Sequence, residues 1–199
     1  MPELPPKLAY YRDTHILTTL SAEERIKFVS LAQDEQQRLI SFCQRLDSAL
    51  MKLIDTAWMT SQYTEIQKRL VRGLLNKDLS IMKDPHDTLQ GHVESTLNAL
   101  LDQSVTTADL DSWRSSLNIP PGKTMDTLTY TERIRLVSRA VDEQRMMVDL
   151  KNDMNNLSTT TAIRNAFAHG DIQRVTVDGY VSAIELYCEF LSRRERGCE

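Results

Sequence analysis

Turn-forming residues are scarce in this chain: six glycines and six prolines are spread over 199 residues. A sheet of many short strands needs more turns than these supply, so long helices are expected. Cysteine is rarer still. Cys43, Cys188 and Cys198 are odd in number and form no C-x-x-C pair, which excludes a disulfide framework or a four-cysteine zinc site and leaves reduced thiols as the expected state. No apolar run approaches the roughly 18 residues of a membrane span. The opening residues Met-Pro-Glu-Leu-Pro-Pro lack the basic start and apolar stretch of a secretory signal, so a cytoplasmic protein is expected. There is no excess of positive charge either. The net charge is -4, which argues against broad non-specific nucleic-acid binding but leaves room for a local basic groove.

What is present is an ordinary soluble-protein composition, 41% hydrophobic and 26% charged, on a chain long enough to bury a core. The expected fold is all-α: one helical bundle of five or more helices in a single domain over residues 1–199. Residues 1–20, with Pro2, Pro5 and Pro6, read as an irregular segment. Ser21-Ala22-Glu23-Glu24 is a capping box. Apolar residues then recur at helical spacing from Ile26 to Ala57 without glycine or proline, so one long helix is expected there, with Trp58 and Met59 in the core. A second helix is expected over about 65–80. Its Lys68, Arg69 and Arg72 form either a solvated face or a phosphate-contacting patch for RNA. Asp84-Pro85 opens a third helix. His86, Asp87, His92 and Glu94 invite a metal reading, but two histidines six apart on a helix face different directions, and no metal site is expected.

Thr107 heads a short helix, and residues 118–128 form a Pro/Gly loop. The Gly122-Lys123-Thr124 in that loop is not a nucleotide-binding loop, because Leu117 stands where such a loop needs glycine and no strand precedes it; no cofactor is expected. Thr129-Tyr130-Thr131-Glu132 is a second capping box, opening a helix expected to reach about Asn155. Thr159 to Thr161 then cap a short helix. Residues 173–181, with Val175-Thr176-Val177 and Asp178-Gly179, suggest a small hairpin before a last helix from about Tyr180 to Arg194.

The short helix carries the chemistry. Ile163-Arg164-Asn165-Ala166-Phe167-Ala168-His169-Gly170 places a guanidinium, an amide and an imidazole within six residues. Gly170 suits the left-handed position just past a helix, so the helix should end at His169, where its dipole favours positive charge. Residues four apart share a face, so Asn165 and His169 do; Arg164 and His169, five apart, do not. An imidazole transfers protons near neutral pH, and a guanidinium fork suits phosphate.

This string resembles the R-N-x-x-x-H signature of the HEPN family, all-helical proteins that include metal-independent ribonucleases of toxin–antitoxin, anti-phage and CRISPR systems. The resemblance covers the C-terminal third by motif and the rest by helical character. It implies that Arg164, Asn165 and His169 are catalytic and that two copies meet in a homodimer to form one cleft. It further implies an RNA substrate cleaved to a 2′,3′-cyclic phosphate, and a cognate antitoxin or defence-system partner. The tyrosine that marks HepT-type toxins two residues after the histidine is Asp171 here, so control by tyrosine AMPylation at that place is not implied. The rival reading, supported by the acidic charge, is a non-catalytic helical module, a HEPN-like scaffold or an antitoxin that binds a protein or a nucleotide.

One internal echo stands out. Residues 19–42 align without gaps on 127–150, with Thr19/Thr127, Leu20/Leu128, Glu24/Glu132, Arg25/Arg133, Ile26/Ile134, Val29/Val137, Ser30/Ser138, Ala32/Ala140, Asp34/Asp142, Glu35/Glu143 and Gln36/Gln144 identical. The pattern fits either a duplication or two similar capped helices in one bundle. The same shift puts Thr56 and Ser61 opposite Arg164 and His169, so each chain has at most one such site.

Overall fold

The computed structural model describes residues 5–196, so Cys198 lies outside the described residues. They are all-helical, with ten α-helices and no strand among them. In chain order these are α1 (Pro6–Tyr11), α2 (Ala22–Ser30), α3 (Gln33–Leu50), α4 (Ala57–Asn76), α5 (Lys83–Ser104), α6 (Thr107–Leu117), α7 (Tyr130–Asp142), α8 (Asp149–Thr159), α9 (Thr161–His169) and α10 (Val177–Arg196).

The segment expected to be irregular is helical from Pro6. Proline at the first helical position costs nothing there, and α1 runs into a π-helical turn over Arg12–Ile16. The long helix expected from Ala22 to Ala57 is broken twice. Leu31 and Ala32 are extended (ψ 150° and 151°), and the Gln36 side-chain amide takes up the freed carbonyls of Val29 and Leu31. A 3-10 turn at Met51–Leu53 and a cap by Thr56 then start α4, which ends at Asn76 rather than Ser80. The helix expected to run from Thr129 to Asn155 stops at Asp142.

Both of those early ends have one cause. Lys77 and Gln144 adopt left-handed backbone (φ 53° and 58°), and the residue after each donates its N–H to a carbonyl five residues back: Asp78 to Gly73, Arg145 to Ala140. Asn118 (φ 54°) closes α6 the same way, with Ile119 donating to Arg114. These are Schellman ends without the glycine that advertises them in sequence. The expected hairpin is absent. Ile172–Arg174 form a 3-10 turn, and Thr176 Oγ1 accepts the Gly179 N–H, so Asp178-Gly179 lies in the first turn of α10.

α10 is the hub. It packs against α3, α5, α8 and α9 and the turn at residues 51–53. Its Tyr180, Val181, Ala183, Ile184, Tyr187, Cys188, Phe190 and Leu191 are all buried, which is the signature of a helix enclosed on most sides. Polar ties fasten it as well. Arg45 of α3 grips Glu185 with two bonds of 2.9 and 2.7 Å, and Arg194 reaches the buried Asp153 of α8 at 2.9 Å. Cys43 and Cys188 are free and buried; burial pushes the Cys188 thiol up to about 12, so it is a poor nucleophile at neutral pH.

Beneath α9 lies the one histidine of the core. The His86 ring is fully buried and stacks on Phe167, with centroids 4.5 Å apart and planes 25° apart. Tyr187 meets it edge-on, with its hydroxyl 3.4 Å from Nε2, and Asp87 Oδ1 lies 3.2 Å from Nδ1. Burial holds this imidazole below its ordinary 6.5; Asp87 opposes the shift, and Lys83 and Arg164 reinforce it. A folded-state value below the unfolded one means that unfolding takes up a proton. Stability from this group is therefore complete above about pH 6.5 and falls as the pH drops through that value, by at most about 1.4 kcal/mol per pH unit. Urea unfolding midpoints should decline more steeply between about pH 7 and pH 5 for the wild type than for His86→Gln, which has no proton to take up over that range. Parallel curves would show that His86 is not buried as a neutral ring.

Candidate functional site

α8 and α9 are separated by a single residue, Thr160. It is buried and keeps α-helical backbone, and its hydroxyl turns back to the Leu157 carbonyl at 2.7 Å while lying 3.1 Å from the Tyr130 hydroxyl. It does not cap α9, contrary to the expectation for Thr159 to Thr161. α9 is instead held by packing. Phe167 is buried on the His86 and Tyr180 rings, with Ile163 and Ala166 packed against the core. The helix ends where the sequence predicts, at His169, with Gly170 left-handed at φ 78°.

That register sends the motif residues in two directions. Arg164 is half-buried and reaches across to α5, its Nη2 3.7 Å from Glu94 Oε1. Its Nη1 donates to Asn165 Oδ1 at 3.3 Å, while its Nε is buried with no hydrogen-bond partner among the described residues. His169 is exposed and makes no hydrogen bond or ion pair among the described residues. The structure thus joins Arg164 to Asn165 but puts no bond between either and His169.

A shallow cleft runs between α5 and α9, lined by Lys83, Gln90, Glu94, Arg164 and Ala168 among others. Glu94 is its hinge of charge. Gln90 donates to Oε1 at 2.6 Å, and from the other side the Nη1 of Arg133, on α7, lies 3.4 Å from Oε2. Arg133 is 9% exposed; its Nη2 donates to the Asp126 carbonyl at 3.4 Å, and its Nε, like that of Arg164, has no hydrogen-bond partner. Two guanidinium groups therefore converge on one carboxylate. Glu94 is met in the sequence only as a rejected metal ligand, and Arg133 only as one of the identical pairs of the internal echo. The available signal was a charge four residues before Val137 and three before Leu136, on the buried stripe of α7.

The suggested basic patch is largely neutralised. Arg69 pairs with Glu65 at 3.0 Å and with Asp84, and Arg72 lies 3.3 Å from Glu24. Lys68 is half-buried, and none of the three lines the cleft at Arg164. His86 and His92 face apart as expected: His92 stacks on Trp58 at 3.7 Å, away from the His86 cluster. No group of three or more His, Cys, Asp or Glu placed to hold a metal occurs among the described residues. Lys123 of the Gly-Lys-Thr stretch is bound to Glu132 at 2.6 Å.

The C-terminal end of α9 depends on the left-handed Gly170, and a Cβ there would meet nothing within 4 Å. Gly170→Ala should therefore cost only the backbone penalty, about 1 kcal/mol, with Gly170→Asn costing less. Thermal or urea unfolding of the two variants reads this directly; a loss several times larger for alanine would place a neighbour where the structure has open space. Comparison of the chain with family models, with curated proteins and with solved structures gives no match.

Proposed function

We propose that this protein is a HEPN-type endoribonuclease, a toxin or anti-phage effector that cleaves RNA without a metal ion. One observation carries the reading: His169 stands exposed, with no hydrogen bond or ion pair among the described residues, at the end of a short helix whose Arg164 opens onto a cleft. In this reaction the RNA 2′-oxygen attacks the adjacent phosphorus, the bond to the 5′-oxygen breaks, and the products are a 2′,3′-cyclic phosphate and a 5′-hydroxyl. His169 transfers the proton as base or acid. Arg164 stabilises charge on the phosphorane-like transition state, and Asn165 orients it through their shared bond.

In-line attack uses a base on one side of the phosphate and an acid on the other, and each chain offers one histidine for both. A two-fold dimer that sets two α9 ends face to face supplies the pair. The alternative, a non-catalytic module that binds a protein partner, is favoured by a different observation: Ile26 and Val29 on α2 are 72% and 65% exposed.

The two readings separate in one assay. Wild-type protein should cleave single-stranded RNA, retain that activity in excess EDTA, and lose at least about 100-fold of it in His169→Ala, the usual scale for removing a general acid or base. Products should carry 2′,3′-cyclic ends. Cleavage that stops with EDTA and returns with Mg²⁺, or that survives His169→Ala, would remove the proposed mechanism. Light scattering should report a dimer, since a fully active monomer has no source for the second proton-transfer group.

A further inference from the structure

We propose that Arg133 and Arg164 together form a binding site for a phosphate group of RNA, and that Glu94 occupies this site as an internal competitor until the phosphate displaces it. The inference rests on the phosphate-directed reading of Arg164 and adds two residues to it.

Three features of the geometry argue for displacement rather than for a permanent ion pair. The contacts are long. Arg133 and Arg164 sit 3.4 and 3.7 Å from the Glu94 oxygens, against about 2.7–2.9 Å for a well-formed charged hydrogen bond. Glu94 is tethered to α5 and spans the two forks without seating in either. Both forks also keep a donor in reserve, since the Nε of each arginine is buried without a hydrogen-bond partner among the described residues. An unmade bond to a buried charged donor is costly to leave, so an anion that reaches it gains more than one meeting a solvated arginine. Finally, the charges do not balance at Glu94: one carboxylate faces two guanidinium groups.

A phosphodiester suits these two forks better than a carboxylate does. Its oxygens spread tetrahedrally, so one group can serve two forks that approach from different helices, and arginine forks match phosphate geometry. The cleft is lined by Arg164 and Glu94 but not by Arg133, which an anion reaches only once Glu94 has moved aside, and its volume is about 290 Å³. That is at the low end for small-ligand sites and fits one phosphate and its ribose rather than a large cofactor. Ala168 lines the same cleft, which brings the bound group to the end of α9 that carries His169.

The test measures binding apart from cleavage. The probe is a fluorescein-labelled single-stranded RNA decamer with 2′-O-methyl riboses, which cannot undergo in-line attack, read by fluorescence anisotropy on the full chain at fixed salt. Glu94→Gln removes the competitor and should tighten binding about tenfold. Adding Arg133→Met to Glu94→Gln should abolish that gain and lower the salt dependence by about one phosphate contact. Unchanged or weaker binding by a folded Glu94→Gln protein would overturn the proposal. So would equal tightening towards a Glu-rich decapeptide, which would mark the site as one for carboxylates. Should Glu94→Gln fail to fold, the wild type decides by NMR. The Nε–H signals of both arginines should shift when the oligonucleotide is added, and a shift of Arg164 alone, or of neither, overturns the assignment. Cleavage of unmodified RNA, followed in parallel, keeps the two readings distinct. Tightening without any cleavage supports the phosphate site and removes the nuclease, whereas cleavage without tightening does the reverse.

Discussion

The placement of the candidate site depends on a buried imidazole stacked on a phenyl ring. His86 on α5 and Phe167 on α9 lie face to face inside a box closed by Tyr180 and Tyr187 of α10. α9 is only nine residues long and has no side-chain cap at its start, so it does not hold itself in place. Its orientation comes from Phe167. With that ring pinned, Arg164 three residues earlier turns toward α5 and His169 two residues later turns to solvent. Burial disfavours the charged form of the imidazole in this box and holds its pKa below the ordinary value.

The electrostatics follow from the same packing. Because α5 runs beneath α9, the carboxylate of Glu94 meets Arg164; because α7 packs on the other flank of α5, it also meets Arg133. A guanidinium as buried as Arg133 needs a counter-charge, and Glu94 supplies one at 3.4 Å. The cleft thus holds Arg164 against the carboxylate of Glu94, with Arg133 on the far side of that carboxylate. This reconciles the net charge of -4 with a reading that puts RNA phosphate in the cleft.

The repeated segment shows how tertiary context overrules sequence. Ser21 and Thr129 both close capping boxes, as their shared pattern predicts. Beyond the cap the copies diverge. Ile134 and Val137 are 4% and 0% exposed, because α7 packs against both α5 and α8. Their counterparts Ile26 and Val29 remain in solvent, because α2 packs chiefly on α4 through Phe28. α7 continues to Asp142, whereas α2 stops at Ser30. At Leu31 and Ala32 the chain turns extended, and α3 then carries its own apolar face into the core.

Several features were legible in the residues alone because they rest on local physics. The helical character follows from apolar spacing and few turn residues, the starts of α2 and α7 from capping boxes, the start of α5 from Asp84-Pro85, and the end of α9 from the freedom of Gly170 to turn left-handed. Each needs no more than one or two helical turns of chain to decide. What the residues did not disclose depends on distant neighbours. The ends of α4 and α7 use Lys77 and Gln144 in a conformation neither prefers, tolerated because the following helices pack. The Val-rich stretch at 175–177 leads into α10 rather than a strand, since no second strand exists among the described residues to pair with it. The partnership of Arg133, Arg164 and Glu94 spans 70 positions and three helices. Spacing along one helix reports which side chains share its face; which other helix that face meets is decided by the burial of the core as a whole.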